Sequence, residues 1–155
     1  MMKNYPIVFG LRDFVQGRGF LAGVSVNSRA LMHEEDDGSF WIEGVQPGGF
    51  SAVGTGPADA LEDFRRSYRA VLFDVASEAS TFGEFEAGVN EFFHGSSPKV
   101  AREWEEAVED VRAGRTEADW LAKKPADSPP TIQVQLVEDL SVENNQVEEG
   151  AAVAA

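Results

Sequence analysis

The sequence predicts an α+β fold: a three- to four-stranded antiparallel meander packed by an amphipathic helix, followed by two or three further helices. Three observations carry that expectation. An alternating run closes in an Asp-Gly turn and resumes as a second extended run; Pro47-Gly48-Gly49 turns the chain into a third; a long stretch of helical-period apolar residues follows at once.

Taken in order, residues 5–23 mix short apolar runs with Gly10, Gly17, Gly19 and Gly23 and read as a strand or a hairpin. From Val24 the pattern sharpens. Val24, Val26, Ala30 and Met32 share one side of a strand, with Ser25, Asn27 and Arg29 on the other. Glu34-Glu35-Asp36-Asp37-Gly38-Ser39 makes its turn, Gly38 supplying the positive φ, and residues 40–45 resume extended structure. Residues 50–53 add the last strand of the meander.

The main helix follows Thr55 or Pro57. Leu61, Phe64, Tyr68, Val71, Leu72, Val75 and Ala79 form one apolar stripe, while Asp59, Glu62 and Asp63 suit the positive end of the helix dipole. Thr81-Phe82-Gly83-Glu84 has the form of a capping box, opening a second helix with Phe82, Phe85, Val89, Phe92 and Phe93 inward and Gly95 as its stop. Ser97-Pro98 caps a third helix through Val100, Trp104, Val108 and Val111 to Gly114. A short helical turn is expected over residues 116–122.

The 155 residues suffice for one compact domain over 1–122, containing the meander-helix unit at 24–79 and a helical extension at 81–122. Residues 123–130 read as a proline-rich linker, 131–142 as an edge strand able to add to this sheet or to that of a second copy in a homodimer, and 143–155 as a disordered acidic tail. No internal repeat is found.

With 27 acidic against 13 basic residues the formal charge is −14, which repels a nucleic-acid backbone and favours a basic protein partner. The absence of cysteine excludes disulfides, thiolate nucleophiles and cysteine metal sites, and suits a cytoplasmic protein. The apolar run Ile7-Val8-Phe9 is too short for a signal core or a membrane span.

Motifs that would carry chemistry fail on inspection. The glycines from Gly49 to Gly54 have phosphate-loop spacing, but Thr55-Gly56 stands where Lys and Ser/Thr are needed. Aligning Gly38 with the glycine of a calcium loop puts His33 at the first ligand and Gly44 where a bidentate Glu belongs. His33 and His94 lie on different elements without triad or zinc spacing and read as ordinary surface or element-end histidines. No carboxylate pair is singled out for acid–base or two-metal work, and Arg65, Arg66 and Arg69 read as ion-pair partners on the main helix. No catalytic residue, metal site or cofactor is therefore expected.

The run from Asp37 to Gly49, then Gly54-Thr55-Gly56, Ala60, Phe64 and the helix to Asp74, resembles the HicB-like antitoxin family. In that family an acidic hairpin with an aromatic residue and a Pro-Gly turn lead through Gly-x-Thr into a helix. The resemblance spans roughly residues 24–79, extending to 95. It implies a partial ribonuclease-H-like fold without that enzyme's catalytic carboxylates, and a role in binding and inhibiting a small basic toxin ribonuclease. The operon repression found in many members does not carry over: 131–137 hold no Lys or Arg, 98–122 are acidic, and direct DNA binding is not expected. Trp41 and Glu43, on the hairpin face opposite Phe40 and Ile42, are the candidate partner contacts. The alternative is an acidic protein-interaction module or nucleic-acid mimic, using the carboxylates Glu103, Glu105, Glu106, Glu109 and Asp110. A metal-dependent nuclease ranks third.

Overall fold

The computed structural model describes residues 2–121 and 128–141. Two strands of equal length, β1 (Lys3–Gly17) and β2 (Phe20–Glu34), form a hairpin in continuous antiparallel register, with Gly19 at φ +77° in its turn. The stretch 5–23 is thus a hairpin, and the meander begins at β1, well before residue 24. On β1, Tyr5, Ile7, Phe9, Leu11 and Val15 point into the core, and on β2 so do Phe20, Ala22, Val24, Val26, Ala30 and Met32.

The acidic turn returns β2 into β3 (Phe40–Gln46), which pairs with Ala30 through Glu34, and β4 (Ser51–Gly54) follows on its far side. Gly38 takes φ +85°, while the hydroxyl and N–H of Ser39 donate to Asp37 Oδ1 at 2.6 and 2.9 Å. Those bonds, the hydroxyl's foremost, hold the Asp37 carboxyl below its ordinary value. Between β3 and β4 the chain folds back over Gly44, whose N–H reaches Phe50 O at 3.1 Å; a Cβ there would sit 1.9 Å from Pro47 O. Only glycine allows that approach.

The long helix α1 (Pro57–Glu78) starts at Pro57 and buries Ala60, Phe64, Tyr68, Leu72 and Ala76, a strict every-fourth-residue line lying on the sheet. Helix α2 (Phe82–His94) is capped by Thr81, whose side chain accepts from Glu84 N, while Glu84 Oε2 accepts from Ser80 N. Both helices cover one face. Phe9, Phe50, Phe64, Tyr68 and Phe92 meet there at ring separations of 4.5–6.2 Å.

Helix α3 (Pro98–Arg112), capped by Ser97, lies on the opposite face, burying Val100, Trp104 and Ala107 against Leu31 and Val45 in a second, smaller core. The expected helical turn at 116–122 is absent as far as Leu121. Gly114 at φ +75° ends the helix, Arg115 and Thr116 both donate to Asp110 O, and Trp120 packs edge-on against Tyr5 at 4.9 Å. Among the described residues, α2 and α3 are the full helices that follow α1.

Residues 131–138 do dock: β5 (Thr131–Glu138) pairs antiparallel with β2 from Leu21 to Asn27. One edge of β2 is thereby shared end to end by β3 and β5, with β1 along the other. Apart from Ser128, Pro129 and Pro130, the expected linker lies outside the described residues, as does the acidic tail. Among the described residues no helix is long and apolar enough to cross a membrane.

Tyr68 is fully buried and, among the described residues, its hydroxyl has no hydrogen-bond partner. An unmet buried hydroxyl costs about 1–3 kcal/mol, so Tyr68→Phe is expected to raise stability by about 1 kcal/mol, seen as a rise of a few degrees in Tm. The two tyrosines also resist ionisation. Burial pushes the Tyr68 phenol up, and burial, then the hydrogen bond and charge of Glu34, push Tyr5 up to about 12 from 10.0. A raised pKa means the folded state keeps a proton that the unfolded chain loses. This stabilisation is complete below pH ~10 and is lost as pH climbs toward 12. Tyrosinate absorbance should thus appear together with loss of helical circular dichroism; tyrosinate forming near pH 10 in a fully folded protein contradicts it.

Candidate partner-binding surface

Antiparallel register puts Asn4, His33, Trp41 and Val53 in one row across β1, β2, β3 and β4, on the face that α3 also occupies. The two residues expected to make contacts sit in or beside that row. Trp41 stacks on the His33 ring at 3.9 Å and 20°, and its Nε1 donates to Glu35 Oε1 at 2.6 Å. Glu43 Oε2 meets His33 Nε2 at 2.7 Å, and Asn4 Oδ1 lies 2.7 Å from Nδ1.

His33 is 2% exposed, not the surface histidine that its spacing suggests. What buries it is Trp41 above and the two flanking strands. Alternation correctly puts His33 on the face away from Met32, but it carries no sign that an indole covers that face. Chemically the cluster is closed: both ring nitrogens are engaged and the ring face is occupied, so the imidazole has no free site for a substrate proton. It pins β1, β2 and β3 together. His94, by contrast, is exposed in the last turn of α2.

Around this pin the surface is apolar at its centre and acidic at its rim. Val53 is 66% exposed beside half-buried Trp41. The turn residues Asp36 and Asp37 are exposed at one end, and α3 turns Glu105, Glu106 and Glu109 to solvent on the same side of the sheet. Glu103 pairs with Lys99 and Asp110 with Arg115, so those two acids are partly neutralised. Of the α1 arginines only Arg66 makes the expected ion pairs along the helix, with Glu62 and Asp63; Arg69 instead reaches Asp13 of β1, and Arg65 Nε donates to the backbone carbonyl of Gly10 at 3.0 Å, because both face the β1 edge.

A second concave feature escaped the sequence reading. A groove of about 1130 Å³ runs along the outer side of β1, between Pro57 and Leu61 of α1 and Trp104 and Val108 of α3, with Trp120 and Leu121 closing it. Its only advance sign is the apolar pair Trp120-Leu121 left over beyond α3. Among the described residues no group of three or more His, Asp or Glu side chains is arranged to hold a metal ion.

Comparison with known proteins gives no relative: no family model, no curated protein and no solved structure matches this chain.

Replacing His33 with Leu removes both ring contacts and strands the Glu43 carboxylate and the Asn4 amide. The expected loss is about 2–3 kcal/mol in urea denaturation, against less than ~0.5 kcal/mol for an ordinary surface histidine.

Proposed function

We propose that this chain is an antitoxin-type binding module that sequesters a small basic protein, with a toxin ribonuclease of the kind inhibited by HicB-like antitoxins as the partner. The observation that carries the reading is the Trp41–Val53 surface: an apolar centre with carboxylates on two sides, on a chain of net charge −14. Such a layout suits a basic protein that presents an apolar or arginine side chain at its middle. The central contact supplies affinity and the rim steers the encounter. Trp41 is held rigid by His33 and Glu35, so little side-chain entropy is lost when a partner covers it. Partner and antitoxin would meet in the cytoplasm.

A second reading is favoured by one observation, the row of solvent-facing carboxylates Glu105, Glu106 and Glu109 along α3. As a nucleic-acid mimic the module would use that helix instead of the Trp41 surface. The two readings separate by mutation.

The test mixes the purified chain with a basic protein of the size class of about 60–90 residues encoded beside its gene, and follows complex formation and RNA cleavage. A stable complex and loss of cleavage are expected, with Val53→Lys weakening binding at least about tenfold, or ~1.4 kcal/mol. Reversal of Glu105, Glu106 and Glu109 to Lys should reduce the association rate more than it changes dissociation. No complex at micromolar concentration, or binding lost only through the α3 reversals, overturns the antitoxin reading.

A further inference from the structure

The sheet has three outer edges, and two of them are guarded. On β1, Pro6 brings no N–H, Trp104 Nε1 donates to Ile7 O at 3.2 Å, Arg65 Nε donates to Gly10 O at 3.0 Å, and the Arg69–Asp13 ion pair lies alongside. On β4 only Ser51–Gly54 are extended, and Gly54 presses against α1, where a Cβ would come within 2.4 Å of Ala60 N. Short strands, prolines and charges are the usual means of keeping foreign strands away. On β5 such features stand only at the ends, with Pro130 before the strand and Glu138 closing it, and the residues between are free of them.

The strand β5 runs Thr-Ile-Gln-Val-Gln-Leu-Val-Glu, with no proline, no positive charge and one acid at its last position. Its strand partner is β2, and among the described residues no backbone group of any other element hydrogen-bonds to it. Leu136 and Val137 are 45% and 50% exposed there. An eight-residue strand charged only at Glu138, with no partner on its far side among the described residues, is a template for another strand.

We infer that the far edge of β5 pairs antiparallel with β5 of a second copy, joining two sheets about a two-fold axis at Val134. The occupant follows from the order of residues. With Val134 on the axis, Ile132 falls opposite Leu136 of the second copy on the core side of the sheet. On the other side Gln133 falls opposite Gln135, while Val137, the extra residue where the pairing with Leu21 and Ala22 shifts, lies beyond the regular register. From Ile132 to Leu136 every cross-strand pair then joins apolar to apolar or amide to amide, and Glu138 falls outside the paired stretch, away from its own like. A segment that matches its own reverse in this way satisfies the requirement of an isologous interface, in which one patch serves both subunits. A basic partner would find no carboxylates on this edge before Glu138, so the edge and the Trp41 surface serve different partners.

The interface is small beside the ~1,600 Å² of a standard complex, so a dissociation constant in the micromolar range is expected. Sedimentation of the full chain between about 1 and 200 µM should show a monomer–dimer equilibrium, with half the chain dimeric inside that range. Gln133 and Gln135 are both exposed, so their replacement leaves the fold intact, checked by circular dichroism. The double variant Gln133→Lys with Gln135→Lys sets like charges across the axis twice and should be monomeric throughout, as should the variant with Glu at both positions. Mixing the two should restore a heterodimer at least as tight as the original. A wild-type chain that stays monomeric at the highest concentration overturns the inference. So does a dimer untouched by either charge pair, which would be held at another surface or by exchange of β5 between chains.

Discussion

The arrangement rests on β2. It is the one strand paired along its whole length on one edge, by β1, and shared by two successive partners on the other, β3 from Ala30 onward and β5 up to Asn27. Its core-side residues from Phe20 to Met32 supply the floor of the main core, while Leu31 and His33 on its reverse support α3 and Trp41. A register slip of one residue in β2 would send the floor to the surface and put His33 into the hydrocarbon core. Such a strand is strongly specified, because an error is penalised on both faces.

The two faces are covered unequally, and that inequality makes the binding surface. Helices α1 and α2 close one face with an aromatic cluster, whereas α3 spans only part of the other, over Val8, Leu31 and Val45. Beyond α3 the Trp41 row is left to solvent. A tryptophan at the edge of a covered face can keep its ring ordered by stacking on His33 and its N–H satisfied by Glu35. Arg29 marks the other margin: its guanidinium lies 4.4 Å from the Trp104 ring and donates to Ser128 O, tying α3 to the segment that delivers β5.

The meander, the three helices and both side-chain caps were legible because each is written in local chemistry. Asp37-Gly38, Thr81 to Glu84 and Ser97-Pro98 act over a few residues, and the stripe of α1 recurs at every fourth residue from Ala60 to Ala76. The extent of β1 was not legible, since its alternation of Tyr5, Ile7, Phe9 and Leu11 is interrupted by Val8 and Phe14 on the opposite face. Val8 is there because α3 packs on it, while Phe14 is 67% exposed. His33 was misread for a related reason: its burial comes from residues on three strands. Trp41 and Glu43 were placed on the correct face by alternation, but their engagement with His33 depends on register, which sequence spacing does not state.

The seam where β3 gives way to β5 lies at Asn27–Arg29, closed by the Ser28 hydroxyl donating to Gln46 O. Strands β1 to β4 are neighbours in sequence, but Val24 waits for Val134. Local pairings form early and distant ones late. Without β5 the sheet is complete at one end and half-finished at the other, its apolar floor at Val24 and Val26 lacking a side wall. The far end of β2 thus depends on the segment most distant from it in the chain.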